Sequence, residues 1–142
     1  MNFDEFTGQA QNRLGTADTG QTLRAIRATL STLGSRIPEE NAADLAASLP
    51  IEIKWYLTGA VTEHGQRFDW PTFVERVSEI EGCDGSDAAY HARVIVALVS
   101  EVAPRSDVEQ LRDMLPGGHG SDGWGSLFEL VDTEADVSAG AE

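Results

Sequence analysis

The feature that most constrains this chain is a pattern written twice. "PEENAADLAASLP" (residues 38–50) and "PRSDVEQLRDMLP" (residues 104–116) share one frame. The frame extends in both directions at a fixed offset of 66 residues. It pairs Asp18 with Asp84, Arg27 with Arg93, Leu33 with Val99 and Pro38 with Pro104. It also pairs Leu45 with Leu111, and Leu49-Pro50 with Leu115-Pro116. Internal self-similarity of this kind means that both halves take the same local structure.

The local period says what that structure is. Leu23, Ile26, Leu30, Leu33 and Ile37 follow one another at steps of three and four, one stripe on a helix. A helix is expected over 18–36, with Asp18 and Gln21 in capping-box spacing and Pro38 at its end. Ala89, Ala92, Val96, Val99 and Ala103 repeat the stripe before Pro104, predicting a helix over 85–103 with Asp84 at its cap. Ile95, Leu98 and Val102 widen that apolar face, so the second long helix is expected to be the more buried. Upstream, "FDEF" and "FDWPTF" each open an amphipathic helix, over 3–14 and 70–81. The first would bury Phe3, Phe6, Ala10 and Leu14; the second Phe73, Val77 and Ile80. Shorter helices follow over 40–48 and 106–115, the latter with Ser106 and Glu109 as a capping box. Each half ends in a closing segment: "IEIKWYLTGAV", and "SLFELV" after the glycine-rich "GGHGSDGWG" of residues 117–125.

No run alternates with the period of a strand. The expected fold is all-α, a helical bundle of two tandem three-helix repeats, 3–61 and 68–131, related by a pseudo-twofold axis. Two repeats are few for an open solenoid, so the halves should bury each other's apolar faces in one domain over 1–131. The acidic residues 132–142 read as a disordered tail.

Charge bounds the environment. The chain has 142 residues, with 24 acids against 10 bases and a net charge of −14. Lys54 is its sole lysine, and the acids are spread over every segment. The screening length falls from about 10 Å at 0.1 M salt to about 3 Å at 1 M, so molar salt would relieve most of the self-repulsion. Dispersed acids with almost no lysine point to a salt-accumulating, halophilic cytoplasm. The competing reading is an acidic protein that meets a basic partner. No run approaches the roughly 20 apolar residues of a membrane span. No basic-then-apolar leader opens the chain. The expectation is a soluble cytoplasmic protein without a membrane partner. A chain without a basic patch is not expected to bind nucleic acid.

"NFDEFTGQAQNRL", "RATLSTLGSRI", "DLAASLP", "FVERVSEIEG" and "LFELV" together resemble the family called domain of unknown function 2267. The resemblance runs from Phe3 to about Val131 and is nearest to halophilic archaeal members. It implies an all-helical protein with an internal duplication. It implies no activity, so no catalytic residue is carried over. The glycine-rich loop is longer than the resemblance implies at that point.

Chemistry-bearing constellations are few. His64, His91 and His119 include no pair at the i, i+3 or i, i+4 spacing of helical metal ligands. Cys83, the single cysteine, can form no internal disulfide and has no thiolate partner in sequence. Glu-x-x-His motifs of di-metal bundles are absent, and carboxylate pairs are too abundant here to be specific. The loop at 117–125 lacks the lysine and preceding strand of a phosphate loop, and reads as a flexible connector. No catalytic residue, metal site or cofactor is expected.

Two groups remain. Arg27 and Arg93 occupy equivalent positions in the two halves, and Arg24 lies one turn from Arg27. Each can lay its stem on apolar surface and pair its head with an acid, or bind an anion. Trp55 and Tyr56 are neighbours about 100° apart on a helix, so one of them is expected nearer the surface, where aromatics favour interfaces. The leading reading is a non-enzymatic module for protein interaction or self-association. The second is a small-molecule or anion-binding protein, or an enzyme, with its site between the repeats near Arg27 and Arg93. A third is a salt- or stress-associated protein without a small ligand.

Overall fold

The computed structural model describes residues 1–133, which contain α-helices and one 3-10 helix and no strand. In order these are α1 (Phe3–Leu14), α2 (Thr19–Arg36), α3 (Glu39–Ala46), α4 (Ile51–Leu57), α5 (Trp70–Glu81), α6 (Gly85–Val102) and α7 (Arg105–Met114). The 3-10 helix spans Gly123–Phe128, and a helical turn at 129–133 follows it. Among the described residues no helix is long and apolar enough to cross a membrane.

The helix ends follow from single residues. Asn2 caps α1 by accepting from the Glu5 N–H at 2.8 Å, and the Glu5 side chain reaches back to the Asn2 N–H. Asp69 and Asp84 cap α5 and α6 through the N–H groups of Thr72 and Asp87. Asp18 caps α2 through Gln21 N–H, but the Gln21 side chain accepts from Ala17 rather than from Asp18. Both α1 and α5 stop at a left-handed glycine, Gly15 at φ 69° and Gly82 at φ 79°. The capping box expected at Ser106 and Glu109 does not form. Pro104, at φ −58°, already sets the helical entry, and α7 runs from Arg105 without a side-chain cap.

At the centre, α2 packs on α1, α4, α5 and α6, while α6 packs on α1, α2, α5 and the 3-10 helix. A third contact joins α3 to α7. Phe6, Ile26, Leu30, Phe73, Ile95 and Leu98 are fully buried in the shared core. Each such side chain contributes roughly 1.5–3 kcal/mol relative to exposure. At Gly34, α2 and α4 come so close that an added Cβ would lie 2.5 Å from the Leu57 carbonyl oxygen.

Two expectations about burial are corrected. The second long helix is not the more buried: α2 buries ten residues, Thr22, Thr29, Thr32 and Arg36 among them, and α6 buries eight. Thr22 and Thr32 hide their hydroxyls against the backbone one turn earlier, Thr32 by donating to the Ala28 carbonyl at 2.7 Å, while the buried Thr29 hydroxyl has no such partner. An apolar count therefore understates how much of α2 is covered. On α5, Ile80 is 39% exposed and Glu81 is buried in the place expected for it. Val77 is followed inward at the fourth residue rather than the third.

The glycine-rich loop is a folded object. Gly118 and Gly120 donate to the Leu115 and Gly117 carbonyls, and Gly125 donates to Asp122. An added Cβ on Gly118 or Gly125 would lie 2.2 Å from a backbone oxygen, so neither position has room for a side chain. Arg112 Nε donates to the Gly118 carbonyl at 3.0 Å, and its two terminal nitrogens reach Asp132 at 2.7 and 3.1 Å. Of the tail expected over 132–142, residues 134–142 lie outside the described residues. Asp132 and Thr133 belong to the helical turn.

Candidate functional site

Arg24 and Arg27 lie one turn apart on the exposed side of α2. With Gly20, Leu23 and Tyr56 of α4 they line one open hollow. Neither guanidinium has an ion-pair or hydrogen-bond partner among the described residues. Beside them α4 turns Ile51 and Trp55 outward, 76% and 58% exposed. The Trp55 ring lies against Gly59, where a Cβ would sit 2.1 Å from it. Tyr56 is half-buried. The two adjacent aromatics thus divide between surface and flank, as their angular step requires.

Arg93 behaves differently from Arg27. Its Nε donates to the Ser126 carbonyl at 3.0 Å and stands 3.6 Å from Glu129 Oε2. Its guanidinium carbon lies 5.9 Å from the Trp70 ring centre. It ties α6 to the 3-10 helix and lines a different hollow, with Trp70, Pro71 and Ala89. The expected single pocket uniting Arg27 and Arg93 therefore separates into two surfaces, one on each half. Trp124 packs edge-on to Phe73 at 5.2 Å and to Trp70 at 5.7 Å, with Arg36 over its ring, and serves the core.

A second constellation joins residues that the sequence did not group. Glu81 ends α5, Cys83 lies in the turn after it, and His91 projects from α6. His91 Nδ1 is 2.7 Å from Glu81 Oε1 and 2.9 Å from Oε2. Cys83 Sγ is 2.6 Å from Glu81 Oε2. One ligand atom from each lies within 4.8 Å of the others, and among the described residues this is the sole group of three so arranged. The Glu81 and His91 side chains are only 7% and 18% exposed.

The cluster's electrostatics follow from Glu81. Its hydrogen bond holds His91 above the ordinary imidazole value against the opposing effect of burial, and the charges of Glu81, Asp87 and Asp84 add to it. Burial, then the hydrogen bond and charge of Glu81, push the Cys83 thiol up to about 12. A thiol held protonated is a poor nucleophile. Nitrogen, sulfur and oxygen donors around one point are instead the donor set of a zinc-type cation.

The model of the uncharacterized conserved proteins DUF2267 matches residues 3–120. The chain belongs to this family. The DUF2267 match covers the α2–α4 surface and the Glu81 cluster. It stops before the 3-10 helix, so "LFELV" lies beyond it. No curated protein matches the chain. The family's description assigns no activity.

The other histidines stay apart from that cluster. His64 Nδ1 meets the Gly34 carbonyl at 2.7 Å, and His119 meets Asp113 at 2.6 Å on the surface. For His91, the available signal was the buried register of α5. Continuing Phe73 and Val77 by four places Glu81 on the inner face, where a carboxylate needs a partner.

Proposed function

We propose that this DUF2267 chain is a non-enzymatic helical interaction module that docks a protein partner on its α2–α4 face. The partner's complementary chemistry is an apolar anchor flanked by carboxylates. One observation carries this: Arg24 and Arg27 stand exposed and without an acidic partner among the described residues, on a chain with 24 acids and a net charge of −14. Exposed arginines that could pair internally and do not are available to a partner's carboxylates in bidentate geometry. Ile51 and Trp55 supply apolar contact next to them, the residue types that anchor interfaces.

The test is capture of partners at high potassium chloride by the wild type, by the double variant Arg24→Glu/Arg27→Glu, and by Trp55→Ala. A partner held by the wild type and lost by both variants supports the reading. Equal capture by all three refutes it. Light scattering between about 0.1 M and about 3 M salt adds the self-association arm, since screening is nearly complete at the upper end. A dimer that Trp55→Ala dissociates makes the second copy the partner.

The second reading is a small-anion site, favoured by the convergence of Arg24, Arg27 and Tyr56 on one hollow. Calorimetry with inorganic phosphate or a dicarboxylate, compared with Arg27→Glu, separates it from protein docking.

The architecture belongs to the same proposal: one domain over 1–131, made of two tandem repeats about a pseudo-twofold axis. The packing pattern supports it. The contacts of α2 with α5 and α4 have counterparts in α6 with α1 and the 3-10 helix, and α3 meets α7. We also infer a halophilic, archaeal-type cytoplasmic setting without a nucleic-acid partner, from the dispersed acids and single lysine.

A further inference from the structure

We infer that Glu81, Cys83 and His91 form a binding site for one borderline-soft divalent cation of the zinc type. Three observations carry it. The first is the donor set: one carboxylate oxygen, one sulfur and one imidazole nitrogen converge within 4.8 Å. Ligand atoms around tetrahedral zinc, at bond lengths of 2.0–2.3 Å, stand about 3.5 Å apart. Glu81 Oε2 stands 2.9 Å from His91 Nδ1 and 2.6 Å from Cys83 Sγ, and each distance needs to open by less than about 1 Å to admit the ion.

The second is where these residues stand. Helices α1 and α5 both have 12 residues and both end at a left-handed glycine, which sets Leu14 opposite Glu81. The offset of 66 sets Ala25 opposite His91. Leu14 and Ala25 are buried hydrophobic residues. The first half thus fills these places with core, while the second fills them with a buried carboxylate and an imidazole. The helical framework does not require polar groups there, and burying them is costly without compensation.

The third is the sulfur–oxygen contact itself. At 2.6 Å the Cys83 sulfur and Glu81 Oε2 already stand side by side, as two ligands of one ion must. Binding a cation converts it into two metal bonds: the thiol proton passes to buffer as sulfur binds, and imidazole binds in its neutral form. Asp84 and Asp87 lie close enough to act on both Cys83 and His91, and add negative charge that attracts a cation.

The test uses cobalt(II) on the full chain after chelation and desalting, at about 2 M potassium chloride, where diffuse binding to the acidic surface is screened. The expected result is one cobalt per chain and a thiolate-to-cobalt charge-transfer band, both displaced by zinc. Cys83→Ser should abolish the band and weaken binding more than ~100-fold, beyond the ~10–100-fold that an outer-shell partner carries. Glu81→Leu restores the first half's residue and should keep the helical circular dichroism while losing the metal. If Glu81→Leu does not fold, Cys83→Ser and His91→Ala decide. Absence of binding, a bound ion with no thiolate band, or a band unchanged in Cys83→Ser overturns the inference.

Discussion

Arg112 holds the end of the described chain to its centre, and its replacement by methionine separates the forces that do so. The side chain is 8% exposed, and methionine retains much of its aliphatic volume. Three interactions are lost. The hydrogen bond to the Gly118 carbonyl comes from a charged donor in buried surroundings, worth about 1.5–3 kcal/mol. The fork to Asp132 has near-ideal geometry, but Asp132 is 50% exposed and rehydrates when released, which discounts the pair to about 0.5–1 kcal/mol. The guanidinium also lies 4.7 Å from the Phe128 ring centre, a contact worth about 0.5–1 kcal/mol. The expected loss is about 3–4 kcal/mol. At this chain length that lowers the melting midpoint by about 10 °C. Thermal melts followed by circular dichroism in molar potassium chloride measure it, alongside Asp132→Asn, which should cost under about 1 kcal/mol. If Arg112→Met falls within 1 kcal/mol of wild type, the Gly118 bond is not the anchor. If Asp132→Asn costs as much as Arg112→Met, the solvent discount on the ion pair is wrong.

Three further outcomes are expected. Thr29 Oγ1 is buried without a hydrogen-bond partner among the described residues, so Thr29→Val, which keeps the shape, should stabilise by about 1 kcal/mol in urea unfolding. Gly34→Ala sets a Cβ against the Leu57 backbone; overpacking of about 3 kcal/mol outweighs about 1 kcal/mol of helix propensity, so a net loss of about 2 kcal/mol should appear in the same assay. With its thiol pushed up to about 12, Cys83 should be alkylated far more slowly at pH 8 in the folded, chelator-treated protein than in urea; equal rates would contradict the burial and Glu81 contact that hold it protonated.

The sequence by itself determined six helices and most of their limits, and left the closing segments, which form α4 and the 3-10 helix, without a geometry. Helical period, capping acids and prolines act within a few residues of one another, so Asp84, Pro38 and the stripe from Leu23 to Ile37 are legible without a fold. The same locality explains the errors. Ser106 and Glu109 have the spacing of a box, but Pro104 starts the helix first. Ile80 has the right hydrophobicity and the wrong register, because its neighbour Glu81 faces inward to meet His91.

Only the tertiary structure decided which polar residues have partners. Arg27 and Arg93 are equivalent along the chain, yet Arg93 reaches the Ser126 carbonyl while Arg27 stays open beside Tyr56. Pairing depends on which element packs alongside, and no spacing within one helix encodes that. Glu81, Cys83 and His91 meet across a glycine turn and two helices, at separations that match no local motif. A helix is specified by contacts three and four residues apart, whereas a site is specified by where helices cross, and the crossing belongs to the fold.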